Sequence, residues 1–247
     1  DGSATVSSHR TKRLILMRLI KQTLLILLAI GVVASSGCVY WRLLKFKRQL
    51  DSFPEHFALV TDGGTTLMSL HPVLGIEDVE KLMEITPSER FEDAEGGRLI
   101  YAFAKEPADG TPPLVYRLEF EEGLLHRIRF PEQFDGIYPG PVLRELLESL
   151  GAADVDRDDR AARGRMLRGR IAEHLPDRTR LAAVLGPPSH REAPTRSEET
   201  WHHDYRPVTS SIGETERKRW AYGRFRLTAA GDLIAVAAGL VAFISPC

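Results

Sequence analysis

The sequence predicts an α+β fold of two two-layer modules, each a helical segment packed on a three-stranded antiparallel meander, with a helical insert between them. Three observations carry this. Helical patterns at 76–85 and 178–185 both run into proline-bearing stops, Thr86-Pro87-Ser88-Glu89-Arg90 and Gly186-Pro187-Pro188-Ser189-His190-Arg191, because proline cannot continue a helix. Strands of period two follow each stop, with Leu99, Tyr101 and Phe103 on one face of the first and Trp201, His203 and Tyr205 on one face of the second. Each strand leads to a hairpin pattern, 114–120 and 124–130 around Glu121-Glu122-Gly123, then 220–228 and 233–244 around Ala230-Gly231-Asp232. Alternation gives a meander one apolar face for the helix to cover, and one such unit buries little area alone, so two copies or a shared sheet add stability.

In chain order, residues 1–37 come first. The chain opens on Asp1, and Met17 stands where a compact export signal would begin, so 1–16 read as upstream sequence without a structural role. Arg18 and Lys21 then precede an apolar run at 23–34, and Ser35, Ser36 and Gly37 lead into Cys38. This stretch resembles the lipobox of bacterial lipoproteins, with Ser35 where that pattern usually has Leu. The resemblance implies cleavage before Cys38 and a lipid on its thiol, which makes membrane lipid a partner and Cys38 a lipidation site. An uncleaved signal anchor stays open, because 23–41 is a run of 19 uncharged residues, close to the roughly 20 that span a bilayer; a buried soluble helix is the third reading. The cationic N-terminal flank places the rest of the chain outside the cytoplasm in either membrane case, although Arg42, Lys45, Lys47 and Arg48 on the far side oppose that orientation. Val39 stands where inner-membrane retention would use Asp, so the resemblance favours the outer membrane, facing the periplasm.

Cleavage would leave 210 of the 247 residues, room for one large domain or two small ones. Residues 1–37 take five of the 33 basic and one of the 34 acidic residues, leaving 28 against 33 and a net charge of −5. That charge offers no basic field for nucleic acid. A hydrophobic fraction of 43% suffices for an ordinary core. Cys38 and Cys247 are the only cysteines, so a cysteine metal site is ruled out by number. Either Cys247 is a lone thiol or it pairs with Cys38.

Residues 38–55 predict a basic helix, with Leu43, Leu44, Phe46 and Leu50 interleaved among Arg42, Lys45, Lys47 and Arg48. It either lies on headgroups with Tyr40 and Trp41 at the interface or docks on the globular core. Residues 56–130 form the first module, opened by a hairpin of 56–61 and 65–71 around Asp62-Gly63-Gly64. In 131–175, Leu143, Leu146, Leu147 and Leu150 mark a helix at 142–150 with Gly151 as its stop, and 160–175 reads as an arginine-laced helix. Residues 176–247 form the second module. Its return strand 233–244 is apolar on both faces and is expected at the centre of a sheet, and 194–199 and 208–216 read as polar loops.

This order of lipobox, helix, Leu185-Gly186-Pro187-Pro188 stop and three-stranded meander resembles the small SmpA/BamE-like lipoproteins. They belong to a wider group of helix-plus-meander modules that includes the β-lactamase-inhibitor fold. The likeness is best over 178–244, weaker over 57–130 and absent between. It implies a non-catalytic protein-binding or assembly module of the cell envelope, with an envelope protein as partner and no cofactor.

No phosphate loop, nucleophile elbow, H-E-x-x-H or paired C-x-x-C is present, and Ser210-Ser211 has no base nearby in sequence, so no catalytic residue is expected. In Trp201-His202-His203-Asp204-Tyr205 the adjacent imidazoles point to opposite strand faces, whereas His202 and Asp204 share one. Those two would bind a divalent metal only if a third ligand arrived; without it they form a half-exposed strand with one packed imidazole, so no metal ligand is assigned. The acidic run from Asp154 to Asp159 fails as a calcium loop, with Asp159 at the sixth position and Arg165 at the twelfth. Arg163, Arg165, Arg168 and Arg170, and Arg217, Lys218 and Arg219, suit anionic headgroups, an acidic partner or merely a solvated face. The expected function is thus a lipid-anchored envelope binding module. The alternatives are a periplasmic ligand or metal binder using His202 and Asp204, and a signal-anchored membrane protein of another activity, including an enzyme without short motifs.

Overall fold

The computed structural model describes residues 39, 41–83, 85–94, 96–153, 155–156, 161–162, 175–195, 197–208 and 221–240. Cys38, the apolar run before it, Cys247, Ser210-Ser211 and both arginine clusters lie outside these residues. The chain divides into two compact units, 1–44 and 45–247. In the first, 39 and 41–44 are helical. No helix of the described residues is long and apolar enough to cross a membrane.

The second unit is α+β and holds an antiparallel sheet of ten strands. In chain order the strands are β1 (Phe57–Val60), β2 (Thr66–Ser69), β3 (Glu89–Glu92), β4 (Gly96–Glu106), β5 (Leu114–Glu121), β6 (Leu124–Arg129), β7 (Val155–Asp156), β8 (Ala161–Ala162), β9 (His190–Thr195), β10 (Glu198–Pro207), β11 (Ala221–Thr228) and β12 (Leu233–Leu240). The large sheet runs β1-β2-β6-β5-β4-β10-β11-β12, with β3 beside β4 and β9 beside β10, while β7 and β8 pair separately. Both halves of the sequence therefore share one sheet. Each helix stop hides a short strand, because proline and serine there mask the β pattern of the residues that follow. Pro194 lies in β9 rather than in a loop, and Ala161–Ala162 pairs with Val155–Asp156 rather than opening a helix. β12 pairs only with β11 among the described residues, so it lies at an edge and not at the centre.

Alternation separates the two faces of the sheet. Leu67, Leu99, Tyr101, Phe103, Leu118, Trp201, Tyr205, Phe225 and Leu227 point inward and are buried. The opposite face carries paired charges, such as Arg127 with Glu119 and Glu121, Arg206 with Glu106, and Arg226 with Glu198. Such exposed pairs add little stability and keep the face solvated.

Helices cover the inward face. Within this unit residues 45–51 form α1, followed by α2 (Phe53–His56), α3 (Ile76–Met83), α4 (Gln133–Ile137), α5 (Gly140–Ala152) and α6 (Arg178–Leu185). α1 and α2 dock on the core: Phe46 and Leu50 of α1 and Phe53 of α2 pack with Phe57 and Leu67. α3 starts where Asp78 accepts a hydrogen bond from Gly75 N–H, and α6 where Asp177 accepts one from Arg180 N–H, each satisfying a donor the helix leaves unpaired. Gly151 is not a stop but lies inside α5, since a Cβ there would sit 2.3 Å from Asp51 N. The bare glycine lets α1 and α5 touch. α4, α5 and α6 cover Trp201, Phe225, Leu227 and Leu233 through Ile137, Tyr138, Val142, Leu143, Leu181 and Leu185.

The two halves of the sheet meet where β4 pairs β10, from Glu106 opposite Asp204 to Phe103 opposite Pro207. Reciprocal serines stitch this junction. Ser88 Oγ accepts from Ala102 N and donates to Val208 O, while Ser189 Oγ accepts from Asp204 N and donates to Glu106 O. Lys105 reaches from β4 to the end of α6, donating to Leu185 O at 2.6 Å, to Pro187 O and to Asp109 Oδ2 at 2.5 Å. A cation there satisfies carbonyls and opposes the negative helix end. Gly186, with φ +70°, turns the chain away, and a Cβ on it would press on Lys105 and Asp109 at 2.8 Å.

Candidate functional site

The outward face of β9 and β10 gathers the residues with metal-ligating chemistry. β9 pairs β10 with His190 opposite His202 and Glu192 opposite Thr200. Because side chains alternate, His190, Glu192, His202 and Asp204 share this face. The His190 and His202 rings stack with centroids 3.9 Å apart and planes 19° from parallel. His202 Nε2 lies 3.4 Å from Glu192 Oε1, His190 Nε2 lies 3.8 Å from the same oxygen, and His190 Nδ1 lies 3.6 Å from Asp204 Oδ2. One donor atom from each of His190, Glu192 and His202 falls within 4.8 Å of the others.

Burial differs sharply within this set. His202 is 6% exposed, whereas His190 and Glu192 are open to solvent. His202 Nε2 is shielded from water and makes no hydrogen bond, its nearest carboxylate oxygen being 3.4 Å away and poorly aligned. Burial lowers the pKa of His202, reinforced by His190 and Arg224 and opposed by Glu192. Its imidazole is therefore held towards the neutral, lone-pair-bearing form.

Inward from it, His203 is 0% exposed with neither ring nitrogen hydrogen-bonded. Burial, then the Lys105 charge, push its pKa down to about 4, so it packs as a neutral ring against Trp201 and Phe225. Burial also raises the pKa values of Tyr116, Tyr138 and Tyr205. Burial alone would raise Asp109, but hydrogen bonds from Lys105 and Thr111 outweigh it and hold its carboxyl at about 2. The Lys105–Asp109 pair ties β4 to the end of α6.

The outward face of β3 and β4 occupies the corresponding position in the first half and differs in chemistry. Glu89 stands opposite Ile100 and Phe91 opposite Arg98. Phe91 is 57% exposed and lines a shallow open depression with Glu89, Arg90, Arg98 and Ile100.

Of the residues singled out by sequence, His202 and Asp204 do share a face, and His202 and His203 do point opposite ways. His190 and Glu192 were not singled out, since His190 fell in the stretch read as a helix stop and Glu192 just beyond it, where no strand was expected. Reading 190–195 as a strand antiparallel to 198–202 would have found them. Of the acidic run, Val155 and Asp156 are described, in β7. No family model, no curated protein and no solved structure matches this chain.

Proposed function

We propose that this chain is a lipid-anchored, non-catalytic binding protein of the bacterial cell envelope, made of two fused helix-plus-hairpin modules. The lipobox-like stretch ending at Cys38 supports the tether. Two features support the modules: the repeated order of helix, short strand, long strand and hairpin, and the reciprocal bonds of Ser88 and Ser189. The pattern-level resemblance to SmpA/BamE-like lipoproteins points the same way.

Phe91 carries the binding role. A large ring held out on a short strand, beside Arg98 on a face otherwise covered with charge, has the composition of an interface anchor. A strand-like segment of an envelope protein, laying an apolar side chain against Phe91 and Ile100, suits this position. A photo-crosslinking residue at position 89 in intact cells should give one discrete protein adduct, and Phe91→Ser should remove it. An adduct that persists in Phe91→Ser, or none at all, rejects the reading. Mass spectrometry of the mature N-terminus tests the tether: an acylated Cys38 supports it, and peptides spanning Gly37 and Cys38 refute cleavage.

A further inference from the structure

We propose that the outward face of β9 and β10 binds one divalent first-row transition ion through His190 Nε2, His202 Nε2 and Glu192 Oε1, with Asp204 positioning His190 from behind. The ligand class follows from the donors. Two imidazoles and one carboxylate suit zinc, copper, nickel or cobalt, whereas calcium and magnesium call for oxygen sets. One donor atom from each of the three residues lies within 4.8 Å of the others, and His202 Nε2 and His190 Nε2 lie 3.4 Å and 3.8 Å from Glu192 Oε1. Bonds of about 2.0–2.2 Å to a common ion need donors roughly 3–3.5 Å apart, so the widest separation must close by up to about 1.5 Å. His190 and Glu192 are exposed, so the adjustment falls to them, while the buried His202 is the fixed point. The stacked rings aim their in-plane lone pairs side by side, so His190 must rotate for both to converge on one ion.

An independent feature points to a ligand at the same place. His202 Nε2 is withdrawn from water and has no hydrogen-bond partner, yet it faces Glu192 Oε1 at 3.4 Å. A buried polar atom left unpaired is costly, and an ion would pair it. Asp204 completes the arrangement. His190 Nδ1 lies 3.6 Å from Asp204 Oδ2, close enough for the rotation that aims Nε2 at the metal to bring Nδ1–H onto this outer carboxylate, the kind of partner that commonly fixes a ligating histidine. Arg224 stands opposite His202 and opposes a cation, with Glu192 offsetting it. The corresponding positions of the first half hold Glu89, Phe91 and Ile100, so the fold does not itself require this ligand set.

The full chain, stripped of metal by chelation and dialysis, should bind one zinc ion in calorimetry. Cobalt should give visible absorption bands of a tetrahedral site that excess magnesium does not displace. His202→Ala and the exposed Glu192→Gln should each abolish both signals. Asp204→Asn should weaken affinity about 10–100-fold with stoichiometry unchanged. His56→Ala, which removes one partner of the exposed His56–His71 pair, should change nothing. A thermal melt confirms that each variant is folded, and Glu192→Gln decides the outcome if His202→Ala does not fold. Absence of binding, or binding that survives Glu192→Gln, overturns the proposal. The assay needs neither tether nor protein partner, so it stands or falls separately from the proposed function.

Discussion

The hairpins β3–β4 and β9–β10 hold corresponding places in one sheet and present different side chains. In each, a serine after the helix stop bonds its own long strand and the end of the other, and the same outward positions follow in register. At those positions the first hairpin presents Glu89, Phe91, Arg98 and Ile100, the second His190, Glu192, Thr200 and His202. Backbone pairing thus sets where side chains meet but not which chemistry they bring. The inward positions are more alike, because Leu99, Tyr101 and Phe103 and their counterparts Trp201, His203 and Tyr205 must all pack under helices.

Transplanting the ligand set tests this contrast most severely. Glu89→His, Phe91→Glu and Ile100→His together should raise zinc stoichiometry from one to two per chain by calorimetry, whereas an unchanged stoichiometry would show that the two positions are not equivalent. The next largest effect is at the junction between the halves. Lys105→Ala leaves the carbonyls of Leu185 and Pro187 without their buried donor, while Asp109 at the surface regains water, and should cost about 2–4 kcal/mol in chemical denaturation, as stranding buried acceptors does.

The serines come next. Ser88→Ala and Ser189→Ala each remove one accepted and one donated bond, and by the symmetry of those bonds should cost similar amounts, about 1–3 kcal/mol each. Markedly unequal losses would break the equivalence of the halves. The smallest effect concerns acid. Asp109 titrates at about 2 in the fold against its usual 3.8, so its contribution is complete above pH 3.8 and fades as pH falls towards 2. Lys105→Met should flatten that part of a stability–pH curve, measured by denaturant midpoint.

Legibility in the sequence followed the range of the interaction. α6 was readable from Arg178 to its stop at Gly186, because helical pattern and stop are local, whereas its cap Asp177 was not singled out. The inward stripe of β4 was readable from period two. β3 and β9 were not, since four to six residues beside Pro87 or Pro188 and Pro194 carry too little pattern to stand out from a turn. β12 was misplaced for a related reason: apolar residues on both faces suggest burial, but they do not say what lies beyond the strand. The metal candidate was half legible. Asp204 lies two residues from His202, so a shared face follows from strand geometry alone, whereas His190 and Glu192 join them only through pairing of a strand the sequence conceals.

Local chemistry in this chain decides which side chains face inward, where α6 begins and ends, and that residues 17–38 resemble an export signal. Those properties depend on neighbours within a turn or two of the chain. Tertiary structure alone decides that both halves share one sheet and that Lys105 closes a helix 80 residues away. It alone brings His190 and Glu192 to His202 and Asp204. Each of these depends on strand register between distant segments, which is set by the packing of the whole core and by no single stretch of residues.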